Sequence, residues 1–356
     1  MNSSSDSGKH LYNVSTTSQV ALEVKMAHEL LERPVGVIVM EAGTFLLVAV
    51  IAFLGNALIC LAMYRNRSLR RVTNIFVLSL AISDMCMACF CMPVSIGILM
   101  RGKWVYSQSS VCEFQAFFIY VLAGVSLYTM AVTAANRYYK VVKPRRYPQL
   151  FTMKLTVAII VTVWVLIGSL IGVLMGIKWL RVKYESAKAS CVMFADLGTK
   201  PLTYAYQVFA FLVFFIIPST FITRCYRQVF KAVRRHEENI AKTLKNRSFV
   251  GSADEVKMTK TLFLVVLAFA SCWSPVIAYE MILISSNMFG FLDRLPRQIH
   301  LVWLYFGTLS SAVNAFIYGA MNRAFRREFI AIFTCNKRTQ ITPFSGTVTT
   351  LTNMVR

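Results

Sequence analysis

The stretch Leu155–Ile177 reads LTVAIIVTVWVLIGSLIGVLMGI and contains no charged side chain. A helix needs roughly 20 mostly apolar residues to cross the hydrocarbon core of a bilayer, so this stretch predicts a membrane-spanning helix. Comparable runs recur along the chain and predict seven spans: Val37–Tyr64, Thr73–Met100, Val111–Val141, Leu155–Ile177, Leu202–Val229, Met258–Ser285 and Gln298–Ala320. The predicted fold is an all-α, integral membrane bundle of seven helices.

Composition also places most of the chain in a lipid bilayer. Hydrophobic residues make up 56% of the sequence, whereas soluble domains contain roughly 45–50%. The chain carries 38 Lys and Arg against 16 Asp and Glu, and the basic residues concentrate in alternate connections, for example Arg65–Arg71, Lys143–Arg146 and Lys231–Arg247, and again at Arg323–Arg327. Cytoplasmic loops hold such an excess. We therefore expect an extracellular N-terminus, a plasma-membrane location and no nucleic-acid partner.

Four regions follow from this topology. Residues 1–36 predict an extracellular polar tail in which Asn2 and Asn13 are glycosylation acceptors. Residues 37–320 hold the seven spans. Residues 321–335 predict a short amphipathic helix under the membrane, because basic and apolar residues alternate there at helical spacing. Cys335 is either a palmitoylation site or a free thiol, and residues 336–356 predict a disordered cytoplasmic tail.

Polar groups inside the spans are informative, because an ionisable side chain in hydrocarbon costs at least ~2.5 kcal/mol unless it faces a cavity or a partner. These groups and their neighbours form an ordered series of short motifs: Gly55-Asn56, Leu80-Ala81-Ile82-Ser83-Asp84, Asn136-Arg137-Tyr138, Trp164, Pro218, Tyr226, Phe269, Cys272-Trp273-Ser274-Pro275 and Asn314-Ala315-Phe316-Ile317-Tyr318. The series resembles that of the class A, rhodopsin-like G-protein-coupled receptors from Asn56 to about Cys335.

The resemblance implies a receptor and not an enzyme. Such a receptor passes the binding of an extracellular small molecule or short peptide to a heterotrimeric G protein, and arrestin and a receptor kinase are further implied partners. It needs no covalent cofactor.

Asp84 is a carboxylate about halfway across the membrane. The resemblance implies an allosteric sodium site there, occupied in the resting receptor. Oxygen atoms would come from Asp84, Asn56, Ser126, Ser310, Ser311 and Asn314. The alternative is a hydrogen-bonded polar cluster that binds no ion.

Arg137, in the Asn136-Arg137-Tyr138 motif, lies at the expected inner end of span three. The resemblance implies that it pairs with a carboxylate in the closed bundle and reaches the G protein in the open one, with Glu255 as the closing partner. Asn136 stands where most of the family has Asp or Glu. The hold on Arg137 then rests on Glu255, or on the amide oxygen of Asn136. A third interpretation is that Arg137 only extends to the membrane interface.

Pro275 removes a backbone hydrogen bond and kinks span six, so the inner end of that span can swing, with Trp273 beneath the expected pocket. The resemblance implies a packed connector of Leu127, Pro218 and Phe269, although a plain core stripe is the alternative for Leu127 and Phe269. It also implies that Tyr226 and Tyr318 turn inward and hydrogen-bond near Arg137 in the active state, and that Asn314 on span seven belongs to the same group of switch residues. Cys112 and Cys191 resemble the pair whose disulfide joins span three to the second outer loop.

Two positions limit the ligand class. Ile119 stands where aminergic receptors carry an Asp, and Thr308 stands where visual pigments carry the retinal-linking Lys. An amine bound in the aminergic manner and a retinal chromophore are both disfavoured. The motifs Asn136-Arg137-Tyr138 and Asn314–Tyr318 resemble those of melatonin receptors, but the binding Asn and Gln of that family fall on Leu174 and Ala195. Melatonin or a related indoleamine remains the alternative ligand.

The expected pocket has aromatic walls and few polar groups, as small apolar ligand sites usually do. Its candidate residues are Phe117, Tyr120, Ala123, Gly124, Met193, Phe194, Gln207, Trp273, Tyr279, Glu280, Tyr305 and Thr308. Glu280 at the mouth would anchor a cation. Lys178, Arg181 and Lys183 either steer an anion or form a solvated loop.

Two other classes compete with a receptor. A transporter or channel with seven spans would place charges along a continuous path and usually contain an internal repeat, whereas the polar groups here converge on Asp84. A membrane enzyme would need a metal-ligand cluster or an activated nucleophile at membrane depth. The four His residues of the chain lie in predicted tails, loops or at a span edge.

Overall fold

The structure is a computed structural model that describes residues 20–243, 250–289 and 295–334. Within these ranges, seven helices are long and apolar enough to cross a membrane, as the sequence predicts. They are numbered here as spans one to seven: Val35–Arg65, Val72–Arg101, Ser109–Val142, Met153–Gly176, Ala205–Arg235, Met258–Leu283 and Arg297–Met321. Span six is the apolar part of a longer helix, Val250–Phe289. The ends of the first four spans and of span seven differ from the predicted ends by at most two residues.

Shorter elements connect the spans. Span two is built from Val72–Cys86, a π-helical turn Met87–Cys91 and Met92–Arg101. Span five lies within a longer helical run that consists of Lys200–Phe211, a π-helical turn Leu212–Ile216 and Ile217–Thr243. The remaining elements are the 3₁₀ turn Arg67–Leu69, the short helix Tyr147–Leu150, the strands β1 Leu180–Glu185 and β2 Ser190–Ala195, and the interfacial helix Arg323–Phe333.

The two π-helical turns lie just before prolines. Pro93 and Pro218 cannot donate a backbone hydrogen bond, and their rings crowd the preceding turn, which widens the helix. Carbonyl groups of these turns accept hydrogen bonds from span three instead. The amide of Gln115 donates to the carbonyl of Cys91 at 3.0 Å, and the hydroxyl of Tyr128 donates to that of Val213 at 3.1 Å. These hydrogen bonds join the widened turns of spans two and five to span three.

The spans pack closely around span three and against each other. A Cβ atom at Gly55 would lie 2.6 Å from Cβ of Ala315, so spans one and seven approach too closely for a side chain at that position. The indole of Trp164 donates to the hydroxyl of Ser79 at 3.1 Å and joins span four to span two. Gly55 and Trp164 both belong to motifs that the sequence predicts to lie inside the bundle.

The N-terminal region differs from the predicted polar tail. Residues 20–31 are helical, and the side chains of Met26 and Leu30 are buried. Gly102, at the end of span two, has φ 73°, and a Cβ there would lie 2.8 Å from the carbonyl oxygen of Leu30. Only glycine adopts that conformation readily and leaves room for the helix. The amphipathic pattern of residues 20–31 is the signal that the tail prediction did not use.

An ionic cluster holds this N-terminal helix to the bundle. Glu41 on span one accepts hydrogen bonds from Arg33 and from Arg297 of span seven. Arg33 also donates to the carbonyl groups of Leu30 and Leu99. Arg33 and Arg297 are buried, and burial of a charge is costly unless it is paired. The end of the bundle that carries this cluster is called the hairpin end below.

The second predicted outer loop is a β-hairpin, which the sequence analysis did not predict. β1 and β2 pair antiparallel, with Tyr184 opposite Cys191, and a disulfide joins Cys191 to Cys112 at the start of span three, with Cα atoms 5.4 Å apart. The predicted pairing of these cysteines is confirmed. Gln115, one turn further along span three, accepts a hydrogen bond from the backbone N–H of Cys191 at 3.1 Å.

The interfacial helix lies at the opposite end, called the arginine end after Arg137. Asn322 caps it by accepting from the backbone N–H groups of Ala324 and Phe325. Its Phe325 is fully buried, and its Glu328 accepts from the side chain of Asn66 at 2.7 Å. The predicted amphipathic helix is therefore packed against the chain between spans one and two.

Some predictions lie outside the described residues. They are the glycosylation acceptors Asn2 and Asn13, the candidate palmitoylation site Cys335 and the tail 336–356. The backbone of Glu255 is described as helical, but its side chain is not among the described side chains.

Candidate ligand and switch sites

A polar cavity lies in the middle of the bundle. Five of the six residues predicted to supply oxygen atoms to a sodium ion line it: Asp84, Ser126, Ser310, Ser311 and Asn314. The side-chain amide of Asn314 donates to the carboxylate of Asp84 at 2.9 Å, and the hydroxyls of Ser83 and Ser126 lie 2.9 Å apart. Asn56 faces span seven, where it donates to the carbonyl of Ser311 at 2.9 Å.

The donor set of this cavity suits a hard cation. It offers one carboxylate and several hydroxyl and amide oxygens, and oxygen ligands are those that alkali and alkaline-earth ions prefer. The cavity also borders Phe269 and Trp273 of span six. The polar groups therefore share this cavity with side chains of span six.

Arg137 is completely buried at the arginine end. Its guanidinium donates to the amide oxygen of Asn136 at 3.0 Å and to the hydroxyl of Thr73 on span two. Asn136 in turn donates to the hydroxyl of Tyr147 at 3.4 Å. The sequence left two partners open for Arg137, the carboxylate of Glu255 and the amide oxygen of Asn136. Among the described side chains, Arg137 contacts the amide oxygen of Asn136. The expected contact with Glu255 stays a prediction.

The connector residues are packed together with the helices that they were expected to join. Leu127 and Phe269 are buried in one hydrophobic cluster, Pro218 is buried, and the rings of Phe269 and Trp273 stack with centroids 5.6 Å apart. Pro275 lies inside the helix of span six.

Tyr226 and Tyr318 are buried at the arginine end, and their hydroxyls have no hydrogen-bond partner among the described residues. Both are therefore able to accept new partners if the helices move.

An apolar cavity lies above the polar one, towards the hairpin end. The predicted pocket residues Ala123, Trp273 and Thr308 line it, together with Ile119, Val276 and Trp303. Ala123 and Trp273 also line the polar cavity. The two cavities therefore share walls, and an occupant of one contacts residues that shape the other.

Other predicted pocket residues lie at the hairpin end but line neither cavity. The hydroxyl of Tyr120 contacts the backbone of Met193 at 3.4 Å, and the hydroxyl of Tyr279 hydrogen-bonds Nδ1 of His300 at 2.8 Å. Phe117 and Gly124 face span four: a Cβ atom at Gly172 would lie 3.8 Å from the ring of Phe117, and one at Gly124 would lie 3.0 Å from Ile167. All of these contacts lie within the bundle or between it and the hairpin.

Two further predicted pocket residues are exposed, and a third packs against span one. Phe194 and Gln207 are exposed. The hydroxyl of Tyr305 donates to the carbonyl of Glu41, and its ring packs edge-on against Phe45 of span one. Spacing along a helix gives the face of a residue only approximately, which accounts for Gln207 and Tyr305, whereas Phe194 lies on strand β2. The basic loop residue Arg181 forms an exposed ion pair with Asp196 at 3.1 Å.

Lys188 is the residue at this end that the sequence analysis missed. It lies in the turn between β1 and β2, and residues Ser186–Val192 are all buried. Its ammonium lies 3.0 Å from a carboxylate oxygen of Glu280 and 3.6 Å from one of Glu185. Glu280 was predicted to anchor a cation, and its partner is a lysine of the same chain. The Lys-rich composition of the loop gave no indication of which lysine points inward.

Comparison with known proteins gives the family. A model of the 7 transmembrane receptor (rhodopsin family) matches residues 55–318, and the chain therefore belongs to the rhodopsin family of seven-transmembrane, G-protein-coupled receptors. Its relatives include melatonin receptor type 1C of Gallus gallus, 26% identical over 81% of this chain and 80% of that receptor. Melatonin receptor type 1B-B of Danio rerio is 26% identical over 85% and 84%. Octopamine receptor beta-2R of Chilo suppressalis is 26% identical over 82% and 78%.

The hold on Arg137 makes a testable prediction about ligand-free signalling. A hydrogen bond to a charged group contributes roughly 1.5–3 kcal/mol, so Thr73→Val should raise ligand-free nucleotide exchange by about tenfold. Asn136→Asp should lower it, because a carboxylate binds the guanidinium more strongly than an amide. The measurement is GDP release from a G protein, normalised to receptor at the cell surface.

Thr133→Val is the matched control, because the hydroxyl of Thr133 bonds only the carbonyl of Thr129 on its own helix among the contacts described. Equal exchange rates in the unmodified receptor, Thr73→Val and Asn136→Asp would show that these contacts do not hold the receptor inactive.

Proposed function

We propose that this receptor binds a small extracellular ligand in the apolar cavity and that binding releases Arg137 for the G protein. The observation that carries this proposal is the shared wall of the two cavities. Trp273 borders both, and Pro275, half a turn further along span six, allows that helix to bend. A ligand that shifts Trp273 therefore acts on span six and on the Asp84 group together.

The chemistry of the apolar cavity suggests an uncharged, largely apolar ligand portion. Its walls are mainly aliphatic and aromatic side chains, and Ser95 and Thr308 supply hydroxyl groups. The hydroxyl of Thr308 already bonds the carbonyl of Leu304 at 2.7 Å, as Ser and Thr in helices often do. Ser95 accepts from the amide of Gln115 at 2.9 Å. Melatonin or a related indoleamine remains the alternative, supported by the relatives named above.

The orientation proposed for the receptor puts the hairpin end outside the cell. The disulfide between Cys112 and Cys191 suits an oxidising compartment, and the basic connections Arg65–Arg71 and Lys143–Arg146 lie at the other end. We therefore place the protein in the plasma membrane with its N-terminus outside. Arrestin and a receptor kinase are proposed as further cytoplasmic partners.

We also propose an allosteric sodium ion in the polar cavity, held by Asp84, Ser126, Ser310, Ser311 and Asn314. The ion would supply a positive charge that balances the Asp84 carboxylate. Without it, the carboxylate depends on hydrogen bonds from the amide of Asn314, at 2.9 Å, and from the side chain of Ser311. An ion that prefers the closed bundle opposes a ligand that prefers the open one, because the two equilibria are linked.

Nucleotide exchange with purified components tests the receptor proposal. The receptor, in lipid nanodiscs, should accelerate GDP release from at least one heterotrimeric G protein in a panel of subtypes, and Arg137→Ala should abolish that acceleration. Arg70→Ala is the control, since Arg70 lies at the same end but bonds only the carbonyls of Met63 and Tyr64 among the contacts described. Full activity of a well-expressed Arg137→Ala variant would contradict the role given to Arg137.

Thermal unfolding tests the sodium proposal without a ligand. At constant ionic strength, replacing potassium by sodium should raise the melting temperature of the unmodified receptor, because a bound ion stabilises the folded state by mass action. Asp84→Asn should remove the difference between the two salts. If sodium and potassium give the same melting temperature for the unmodified receptor, the polar cluster binds no ion selectively.

A further inference from the structure

The turn of the β-hairpin inserts a lysine into the bundle between spans six and seven. Lys188 is only 5% exposed. Its ammonium lies 3.0 Å from the carboxylate of Glu280 and 3.6 Å from that of Glu185. It also lies 5.3 Å from the ring centroid of Tyr279 and 5.4 Å from that of Trp303. These four side chains are called the amine cage below.

The amine cage has the composition of a site that recognises an organic ammonium ion. An ammonium within about 6 Å of an aromatic face is attracted by the ring quadrupole, and aromatic cages of this kind bind cationic ligands. Two carboxylates add opposite charge. Burial disfavours the charged form of Lys188, but Glu185 and Glu280 outweigh it and hold the pKa of Lys188 above its ordinary value. The occupant of the cage is therefore a cation at physiological pH.

The hairpin is built to present this lysine. Ala189, which follows Lys188, is fully buried and has φ 48°, a conformation that costs a non-glycine residue roughly 1–2 kcal/mol. Such a turn persists only where its surroundings fix it. Here the backbone N–H of Ala189 bonds the carbonyl of Ser186 at 3.2 Å, and the disulfide from Cys191 to Cys112 anchors β2 to span three.

We propose that the amine cage is a binding site for a primary alkylammonium group and that Lys188 is its built-in occupant. A free amine then binds only when Lys188 withdraws or is removed. Trp303 belongs both to the cage and to the wall of the apolar cavity. A ligand with an ammonium group and an apolar body would therefore extend from the cage into that cavity. This amine position lies on spans six and seven, and so it does not depend on the missing carboxylate at Ile119 of span three.

Chemical replacement of the side chain tests the proposal. Lys188→Ala removes the three outer methylenes and the ammonium, which n-propylammonium reproduces. In purified receptor, Lys188→Ala should lower the melting temperature, and millimolar n-propylammonium should raise it again by roughly 2 °C or more. The unmodified receptor should not respond, because its cage is filled.

Three controls separate the cage from general effects of the amine. Lys183→Ala removes an exposed lysine of the same hairpin and should behave like the unmodified receptor. 1-Propanol has a similar shape without the charge and should not stabilise Lys188→Ala. The double variant Lys188→Ala, Glu280→Gln should lose the response to n-propylammonium. An equal response in all variants, or none in Lys188→Ala, would overturn the proposal.

A cycle of conservative substitutions covers the case in which Lys188→Ala does not fold. Lys188→Met keeps the length of the side chain without its charge, and Glu280→Gln keeps its shape. Each should lower the melting temperature, and the double variant should be little worse than either single variant, because both remove the same ionic contact. Additive losses would show that Lys188 and Glu280 act independently and would overturn the proposal. Both tests measure binding or stability and not signalling, so they are independent of the G-protein proposal.

Discussion

The hydrogen bond between Asn314 and Asp84 is the interaction on which the rest of the bundle depends. A carboxylate in the middle of a membrane is stable only if other polar groups or an ion face it, and Asn314 supplies the amide at 2.9 Å. This requirement brings spans two and seven together. A polar cavity remains between spans two, three and seven. Ser126 of span three and Trp273 of span six line this cavity.

The polar cavity gives the receptor a route between its two ends. Towards the hairpin end, Trp273 separates it from the apolar cavity, and Lys188 lies over Trp303 at the far wall of that cavity. Towards the arginine end, buried Tyr226 and Tyr318 lie in the same hydrophobic cluster as Leu127 and Phe269. Packed side chains of this kind shift between discrete arrangements and not continuously. In the proposed mechanism, a change at either end therefore alters the packing of the same helix, span six.

The sequence predicted the spans and the Asp84 group because each follows from a strong local constraint, whereas the pairing of Cys112 with Cys191 followed from the resemblance to the receptor family. A bilayer demands long apolar helices, and a buried charge demands partners. The direction in which individual side chains point depends on tertiary packing instead. Tyr305 faces span one and Gln207 is exposed, although spacing placed both in the pocket. Lys188 is buried and Lys183 is exposed. Ala189, next to Lys188, has a left-handed conformation that no residue type in this loop indicates.

The arginine end is proposed to open when the receptor engages a G protein. Double electron–electron resonance measures this most directly, between spin labels at exposed Arg71, directly before span two, and exposed Lys260 of span six. The labels are introduced as unnatural amino acids so that the native cysteines stay in place. Adding nucleotide-free G protein should lengthen the distance, because span six must swing away to free Arg137. An unchanged distance distribution in a sample that still accelerates nucleotide exchange would show that span six does not open to free Arg137.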